Sequence, residues 1–230
     1  MKTQSTYVTR TSLLKGVVEG LFGARLEVSI AGLVESKAYV IWKSITKELI
    51  ALDKVFDSSS PQSEVSVLNA SKVDIETSEE LKKALNTCES YFIKTKGLFN
   101  VNRNEVLDFS GFIKGHVINV IMSILKKAKV KNAFINYEGK LICAVGDQPF
   151  CNGWMFTLYD DNGEELRDFT INNESLAVTK TEDNRLCLVK SKDPLEAKIL
   201  SIVLPIASST QRHDMSYSFK ALNDEYIDLA

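Results

Sequence analysis

The sequence predicts an α+β fold in which an antiparallel sheet carries helices layered on one face. Apolar residues recur at three- and four-residue spacing through the earlier part of the chain. Short alternating segments, separated by turn-forming clusters, fill most of the remainder. Helical and strand patterns lie in segregated runs, which is the α+β arrangement. The 230 residues are enough to bury roughly 70% of the unfolded surface without a disulfide or a metal.

Residues 15–32 alternate and turn like a strand or hairpin, with Leu26, Val28 and Ile30 on one face. Residues 35–56 read as a helix with Ala38, Ile41, Trp42, Ile45, Leu49, Leu52 and Phe56 on its apolar stripe. A second helix follows Thr77. Glu80, three residues on, completes a capping box, and Leu81, Leu85, Tyr91 and Phe92 are available for burial. Lys96-Gly97 ends it, a basic last turn followed by a C′-type glycine. A third helix from about Gly115 to Ala128 presents Val117, Ile118, Ile121, Ile124 and Leu125. Strands are expected at 132–137, 140–145, 154–159, 166–171, 175–179, 185–189 and 199–204, with clusters such as Asp161-Asn162-Gly163 between them. A last helix is expected over 214–222. No repeat, low-complexity tract or linker divides the sequence, so 1–230 reads as a single domain.

Charge excludes one broad class. The 28 Lys+Arg against 30 Asp+Glu leave a formal charge of −2, unlike the basic stripe of a protein that grips nucleic acid. The run from Lys126 to Lys131 ends a helix, where cations complement the helix dipole. No apolar run reaches the ~18 residues that span a bilayer. The first 15 residues lack an apolar core and a small-residue cleavage site. With no signal peptide or lipobox, the expected location is the cytoplasm. Cys88, Cys143, Cys151 and Cys187 are widely spaced, with neither zinc nor disulfide-scaffold spacing.

Four segments are unusually polar. The loop at 57–64 is rich in hydroxyls, and polar loops are frequent carriers of function. Asp108-Phe109-Ser110-Gly111-Phe112-Ile113-Lys114-Gly115 stands before the third helix; free N–H groups and a lysine there suit an anion, although the P-loop spacing is not met. Glu138-Gly139 reads as a hairpin turn. In His213-Asp214-Met215-Ser216-Tyr217-Ser218, Asp214 and Ser218 are four apart, so on a helix both oxygens share a face and suit a hard cation; an ordinary acidic first turn explains the same spacing. There is no G-x-S-x-G or G-x-G-x-x-G, and the chain has two histidines, His116 and His213.

In order along the chain, these segments resemble motifs of the ApbE family, the FAD:protein FMN transferases. Leu21-Phe22-Gly23-Ala24 is similar to the family's Met-Gly-Thr opening. Leu52-Asp53 and Ser63-Glu64-Val65-Ser66-Val67-Leu68-Asn69 resemble its Leu-Asp and Ser-Glu-x-Ser-x-Leu-Asn stretch, and Gly97-Leu98-Phe99-Asn100 its Gly-x-Phe-Asp. Residues 106–115 are the closest match. Asn136-Tyr137-Glu138-Gly139, with Gly146 and Trp154, is similar to the Asn-x-Gly-Gly-Asp run, and residues 213–218 to Ala-Asp-Ala-x-x-Thr. The resemblance covers about 21–222. It implies a compact α+β fold and FMN transfer from FAD, with Mg²⁺, to a Ser/Thr of an acceptor flavoprotein.

By the same resemblance Asp214, the Ser218 hydroxyl and the Gly111 carbonyl would hold Mg²⁺. Phe22, Ser59, Leu98, Phe99, Asn100, Asp108 and Lys114 would line the flavin nucleotide, and Lys114 and Asp214 would serve the chemistry. Several positions depart from the family pattern. Ala24 replaces a threonine, Asn100 an aspartate, and Lys190 the histidine ahead of Asp193-Pro194; a long segment after Asn100 is absent. Val178-Thr179-Lys180 stands for Thr-Ser-Gly. Glu138-Gly139-Lys140 stands for Gly-Gly-Asp, which puts a carboxylate where a pyrophosphate would be repelled. The resemblance therefore leaves three readings: the transferase, a Mg²⁺-dependent FAD pyrophosphatase, and a non-catalytic flavin- or nucleotide-binding or scaffold relative.

Overall fold

The structure, a computed structural model, describes residues 1–71, 76–220 and 222–229. It opens with strands β1 (Lys2–Val8), β2 (Leu13–Leu21) and β3 (Ala24–Ala31), followed by helices α1 (Glu35–Phe56), α2 (Glu64–Ala70) and α3 (Glu79–Lys94). A short hairpin of β4 (Asn102–Arg103) and β5 (Val106–Leu107) leads into α4 (Ser110–Lys127). Six strands follow: β6 (Asn132–Tyr137), β7 (Leu141–Val145), β8 (Trp154–Tyr159), β9 (Glu165–Ile171), β10 (Ser175–Lys180) and β11 (Arg185–Ser191). Helices α5 (Pro194–Val203) and α6 (Ser209–Ser216) precede β12 (Asp224–Asp228).

Eight strands form one antiparallel sheet in the order β1-β2-β3-β6-β7-β10-β11-β12, and β8 and β9 pair separately. Alternation along each strand sorts residues between the two faces. Leu26, Val28 and Ile30 of β3 and Ala177 of β10 join the cluster under the helices. Leu176 and Val178 of β10, with Ile142 and Ala144 of β7, point the other way. The helices thus occupy one face, as expected. The β8–β9 hairpin covers part of the opposite face: the Trp154 indole stacks on Phe134 with ring centroids 5.4 Å apart and donates to the Val145 carbonyl at 3.2 Å.

The expected strand at 199–204 is instead the end of α5. Its apolar run fits either period by itself. What decides it is the start: Pro194 sits in the first helical turn, and the Asp193 carboxylate accepts from the Leu195 N–H at 2.9 Å. Leu195, Ile199, Leu200 and Val203 are then all buried against α4 and the sheet. Helix α4 begins at Ser110, five residues ahead of the expected start, so Gly111 and Lys114 lie inside it. The cap of α3 is Ser78 rather than Thr77, and Glu80 faces the His116 Nε2 at 2.8 Å instead of closing a capping box. Phe92 stays exposed. The expected helix over 214–222 is displaced: α6 ends at Ser216, residues 217–220 form turns, and residue 221 lies outside the described residues. Strands β1 and β12, the two edges of the sheet, have no counterpart in the sequence reading. Among the described residues no helix is long and apolar enough to cross a membrane.

Helix α4 meets α5 at Gly115, where an added Cβ would stand 2.7 Å from the Leu195 Cα and 3.0 Å from its Cδ1. Glycine to alanine in a helix interior normally stabilises by about 1 kcal/mol. At this position the sign reverses, because the backbone of α5 cannot yield as a side-chain tip can. Gly115→Ala is expected to destabilise the fold by about 1–3 kcal/mol, read as a lowered midpoint in chemical denaturation; a raised midpoint would contradict the packing.

Candidate functional site

A cavity of about 950 Å³ opens between the β2–β3 turn, the loop after α1, α2, and the start of α4. Each wall has a local cause. Phe22 and Gly23 form the turn with φ of 50° and 75°, a pair of left-handed conformations that suits a two-residue hairpin. Past the end of α1, Asp57 Oδ1 accepts from the Ser59 N–H at 3.0 Å and from its hydroxyl at 2.7 Å, which folds the loop toward the cavity. Asn69 clamps the opposite wall, its amide nitrogen donating to the Leu107 carbonyl at 3.0 Å and its oxygen accepting from the Leu107 N–H at 2.9 Å. Asp108 Oδ1 accepts from the Ser110 N–H at 2.9 Å as α4 begins. Phe56 and Phe109, in edge-to-face contact at 5.1 Å, give the cavity aromatic walls.

Lys114, one turn into α4, is the one cation that lines this cavity among the described residues. Its ammonium pairs with Glu138 and lies 5.5 Å from the centroid of the Tyr137 ring. Tyr137 is fully buried, and its hydroxyl donates to the Leu21 carbonyl at 2.9 Å, which ties the end of β6 to the hairpin that carries Phe22. Burial raises the Tyr137 phenol well above its ordinary range, and the Glu138 and Asp53 charges add to the shift. Burial also raises the Asp53 carboxyl, with Asp57 adding repulsion, and the buried Asp53 Oδ1 has no hydrogen-bond partner among the described residues.

Lys198 of α5 is partly buried. It donates to the Thr179 hydroxyl at 3.2 Å. Thr179 and Ser201 share a hydrogen at 2.7 Å, and the Ser201 hydroxyl donates to the Lys198 carbonyl at 2.8 Å. Counting protons sets the direction of the chain: Ser201 spends its one proton on the carbonyl, so Thr179 donates to Ser201 and accepts from the lysine. Burial pushes the Lys198 amine down to about 8; Lys114 and Lys140 press it the same way, and Glu138 opposes them.

Of the residues singled out in the sequence, the cavity gathers Phe22, Ser59, Asp108 and Lys114. It does not include Leu98, Phe99 or Asn100. The Phe99 ring is buried against Tyr91, with its N–H donating to the fully buried Thr95 hydroxyl at 3.0 Å, and Leu98 packs against the same core. Asn100 turns its oxygen to the Asn102 N–H at 2.9 Å and lines a different cavity, beside α3. Gly111 is packed: a Cβ there would lie 3.3 Å from Ile202 and 3.4 Å from Phe99. A series of ring contacts leads from Phe99 through Tyr91 to Phe219, next to Ser218. Ser218 lies past the end of α6, so it does not share a helical face with Asp214 in the way the spacing suggests. No hydrogen bond or ion pair of the described residues engages the half-buried Asp214 carboxylate. No group of three His, Cys, Asp or Glu among the described residues could hold a metal. Lys190 is held on the hairpin side of the sheet by Glu174 at 3.5 Å and lies 5.7 Å from the Phe169 ring centroid. Asn69 and Lys198 were missed as site residues; Asn69 had a signal in its motif, and Lys198, one lysine in an apolar run, had none.

The depressed Lys198 sets a pH dependence with a definite sign. Its ordinary value is 10.5 and its folded value about 8, so between them the unfolded chain binds more protons and stability rises with pH. The penalty is fully present below about pH 8. Lys198→Met is expected to be more stable than the parent at pH 7 by about 2–3 kcal/mol, an advantage that narrows toward pH 10. Urea titrations of both proteins at the two pH values check this; a constant gap would refute it.

No protein-family model matches the chain, and no curated protein matches it. Solved structures do. The flavinyl transferase ApbE of Pseudomonas stutzeri is similar with a TM-score of 0.69 at 12% identity, over 94% of this chain and 88% of that one. The flavin transferase ApbE of Vibrio cholerae gives 0.71 at 11% identity, over 93% and 90%. The ApbE protein of Thermotoga maritima gives 0.70 at 12% identity, over 92% and 90%. The chain has the fold of these proteins over nearly its whole length.

Proposed function

We propose that the chain is a divergent ApbE-type protein, one domain over 1–230 acting in the cytoplasm, which binds FAD and transfers its FMN half to a Ser/Thr of an acceptor flavoprotein. The observation that carries this reading is the cavity at the start of α4, which collects Phe22, Ser59, Asp108 and Lys114 on an ApbE fold. About 950 Å³ suits a ligand the size of a flavin nucleotide. Phe22, Phe56 and Phe109 offer apolar and aromatic surface to an isoalloxazine ring, and Ser59 and Asp108 offer polar contacts to the ribityl chain or ring edge. Lys114 and the positive end of α4 face the pyrophosphate.

Asp214, the Ser218 hydroxyl and the Gly111 carbonyl are hard oxygen donors of the kind Mg²⁺ takes alongside substrate phosphates, and an Asp214 carboxylate that no described residue engages fits that use. When bound, Mg²⁺ supplies Lewis-acid neutralisation of pyrophosphate charge. Lys114 holds the FMN phosphate and takes up charge developing on its oxygens. The acceptor hydroxyl oxygen forms a bond to the FMN phosphorus, the bridging P–O bond to AMP breaks, AMP departs, and the hydroxyl proton is released. With water in place of the acceptor, the same bond change is the pyrophosphatase reaction. The non-catalytic reading is favoured by one specific feature: Lys190, where the family pattern has histidine, is engaged with Glu174 on the hairpin side.

Calorimetric and fluorescence titration with FAD, with and without Mg²⁺, tests binding. Binding is expected to strengthen with Mg²⁺ and to weaken at least ~10-fold in Lys114→Met and in Asp214→Ala. AMP release then separates the readings: AMP with FMN on an acceptor supports transfer, AMP with free FMN supports the pyrophosphatase, and bound FAD without AMP leaves the binding protein. Absence of FAD binding overturns the transferase, pyrophosphatase and flavin-binding readings and leaves a scaffold relative that kept the fold.

A further inference from the structure

Strand β8 has one bonded neighbour, β9, and its other edge is open. Its residues, Trp154-Met155-Phe156-Thr157-Leu158-Tyr159, include no charge and no proline. Natural edge strands are protected from pairing by charges, proline or short length. Among the described residues the other edges longer than two residues follow that rule: β1 begins with Lys2, β9 carries Glu165, Arg167 and Asp168, and β12 carries Asp224, Glu225 and Asp228. Strand β8 is the exception, built from the aromatic and β-branched types that pair most readily. Bonds at its two ends set which way its backbone points. The Asp160 N–H donates across the hairpin to the Glu164 carbonyl at 2.9 Å. Gly153 turns its N–H to Asp147 Oδ1 at 2.7 Å and its carbonyl to the Gln148 N–H at 3.3 Å, toward the preceding loop rather than β9. The hairpin's irregularity falls on β9, at the unpaired Leu166, and leaves the alternation of β8 intact. By the two-residue period of a strand, the N–H and C=O groups of Met155, Thr157 and Tyr159 face the open edge. No backbone hydrogen bond among the described residues occupies them there.

That edge borders a cavity of about 760 Å³ between the hairpin and the large sheet. Met155 through Asp161 line it without a break, as the edge of a strand does and a single face does not. Phe134 and Asn136 of β6 lie on its floor, and β6 is bonded in turn to β3, so the large sheet runs on beneath the open edge. The hairpin of a second copy would bring its own sheet about 10 Å below it, into that floor. A single extended strand meets no such obstacle. Charge is confined to one end of the slot: Lys180 and Asp161 are ion-paired there at 2.9 Å, beside Glu138, Lys140 and Asp160, and the rest of the lining is uncharged. Glu138 also pairs with Lys114, which lines the cavity at the start of α4, so the charged end of the slot abuts that cavity.

We propose that β8 is a strand-addition site, which takes an extended segment of a partner protein, uncharged over about five residues and bearing a serine or threonine just beyond them at the Glu138 end. Backbone bonds to Met155, Thr157 and Tyr159 supply affinity whatever the side chains, and the exposed Met155 and Tyr159, with Phe134 below, select uncharged neighbours. The identity of the partner rests on the flavin reading: the segment belongs to the acceptor flavoprotein, and the slot leads its hydroxyl to the α4 cavity.

The test pans a displayed library of random peptides, about nine residues long, against the full chain without flavin or metal. The same library is panned against a Met155→Lys, Tyr159→Lys double variant, which charges two exposed positions of the edge. Peptides with uncharged centres are expected to be enriched on the parent over the variant. Synthesised, they are expected to slow amide hydrogen exchange at Met155, Thr157 and Tyr159 and to leave Phe156 and Leu158 unchanged. Thr157→Pro removes one edge N–H and no ladder bond, and is expected to bind them at least ~10-fold more weakly with an unchanged far-UV spectrum. Equal enrichment on parent and double variant, or binding without the alternating protection, overturns the strand-addition site. With FAD and Mg²⁺ added, peptides with Ser or Thr just past the paired stretch are expected to gain FMN; paired peptides that gain none while AMP is released overturn the acceptor as occupant. A parallel FAD titration keeps the two readings apart. FAD binding without peptide enrichment overturns the docking site and spares the flavin reading, whereas peptide pairing without FAD binding upholds strand addition and overturns the flavin reading together with the acceptor.

Discussion

The close approach of α4 to α5 at Gly115 and Leu195 is the constraint on which the site depends. Two helices whose backbones come this near can share one face of the sheet without splaying, and residues next to the crossing are drawn together. Lys114 is the immediate neighbour of Gly115, and Lys198 lies one turn beyond Leu195. The same contact that completes the core therefore brings two amines of unlike sequence position to one end of the sheet. The Tyr137 hydroxyl, bonded to the Leu21 carbonyl, holds the β6 end and the Phe22 turn to that spot from the other side.

What could be read in the sequence, and what could not, follows from how each element is stabilised. Helix α1 was legible from first to last residue because seven buried positions repeat on one stripe. Strands β6 to β11 were legible because each alternates or is bounded by turn chemistry. Strand β1 exposes most of its length, and an edge strand with one bonded neighbour needs little apolar patterning to form. The α5 segment has apolar residues at nearly every step, so periodicity was silent, and the Asp193-Pro194 start signal was the only guide. In the site, the motif residues at loops and helix starts could be found. Phe99 was ambiguous because an aromatic near a glycine reads equally well as a ligand contact and as core; in the structure its ring is buried against Tyr91.

A fold shared at 10–12% identity says little about chemistry. A core accepts many apolar sequences of suitable volume and pattern, whereas a phosphate site needs particular charges in particular places. The functional argument therefore rests on the charges. Lys190 and Lys114 illustrate the difference: both amines are ion-paired, to Glu174 on the hairpin side and to Glu138, but of the two it is Lys114 that lines the cavity at the start of α4.

Lys198 supplies the last step. A partly buried amine that loses part of its proton affinity lowers the stability of the protein over the pH range where it is charged. Packing gives no reason to retain such a group, since a methionine would fill the same space between α5 and β10 without a desolvation cost. Thr179 and Ser201 satisfy one donor and leave the charge uncompensated. Glu138 compensates in part, from an exposed turn and in a conformation that does not favour glutamate.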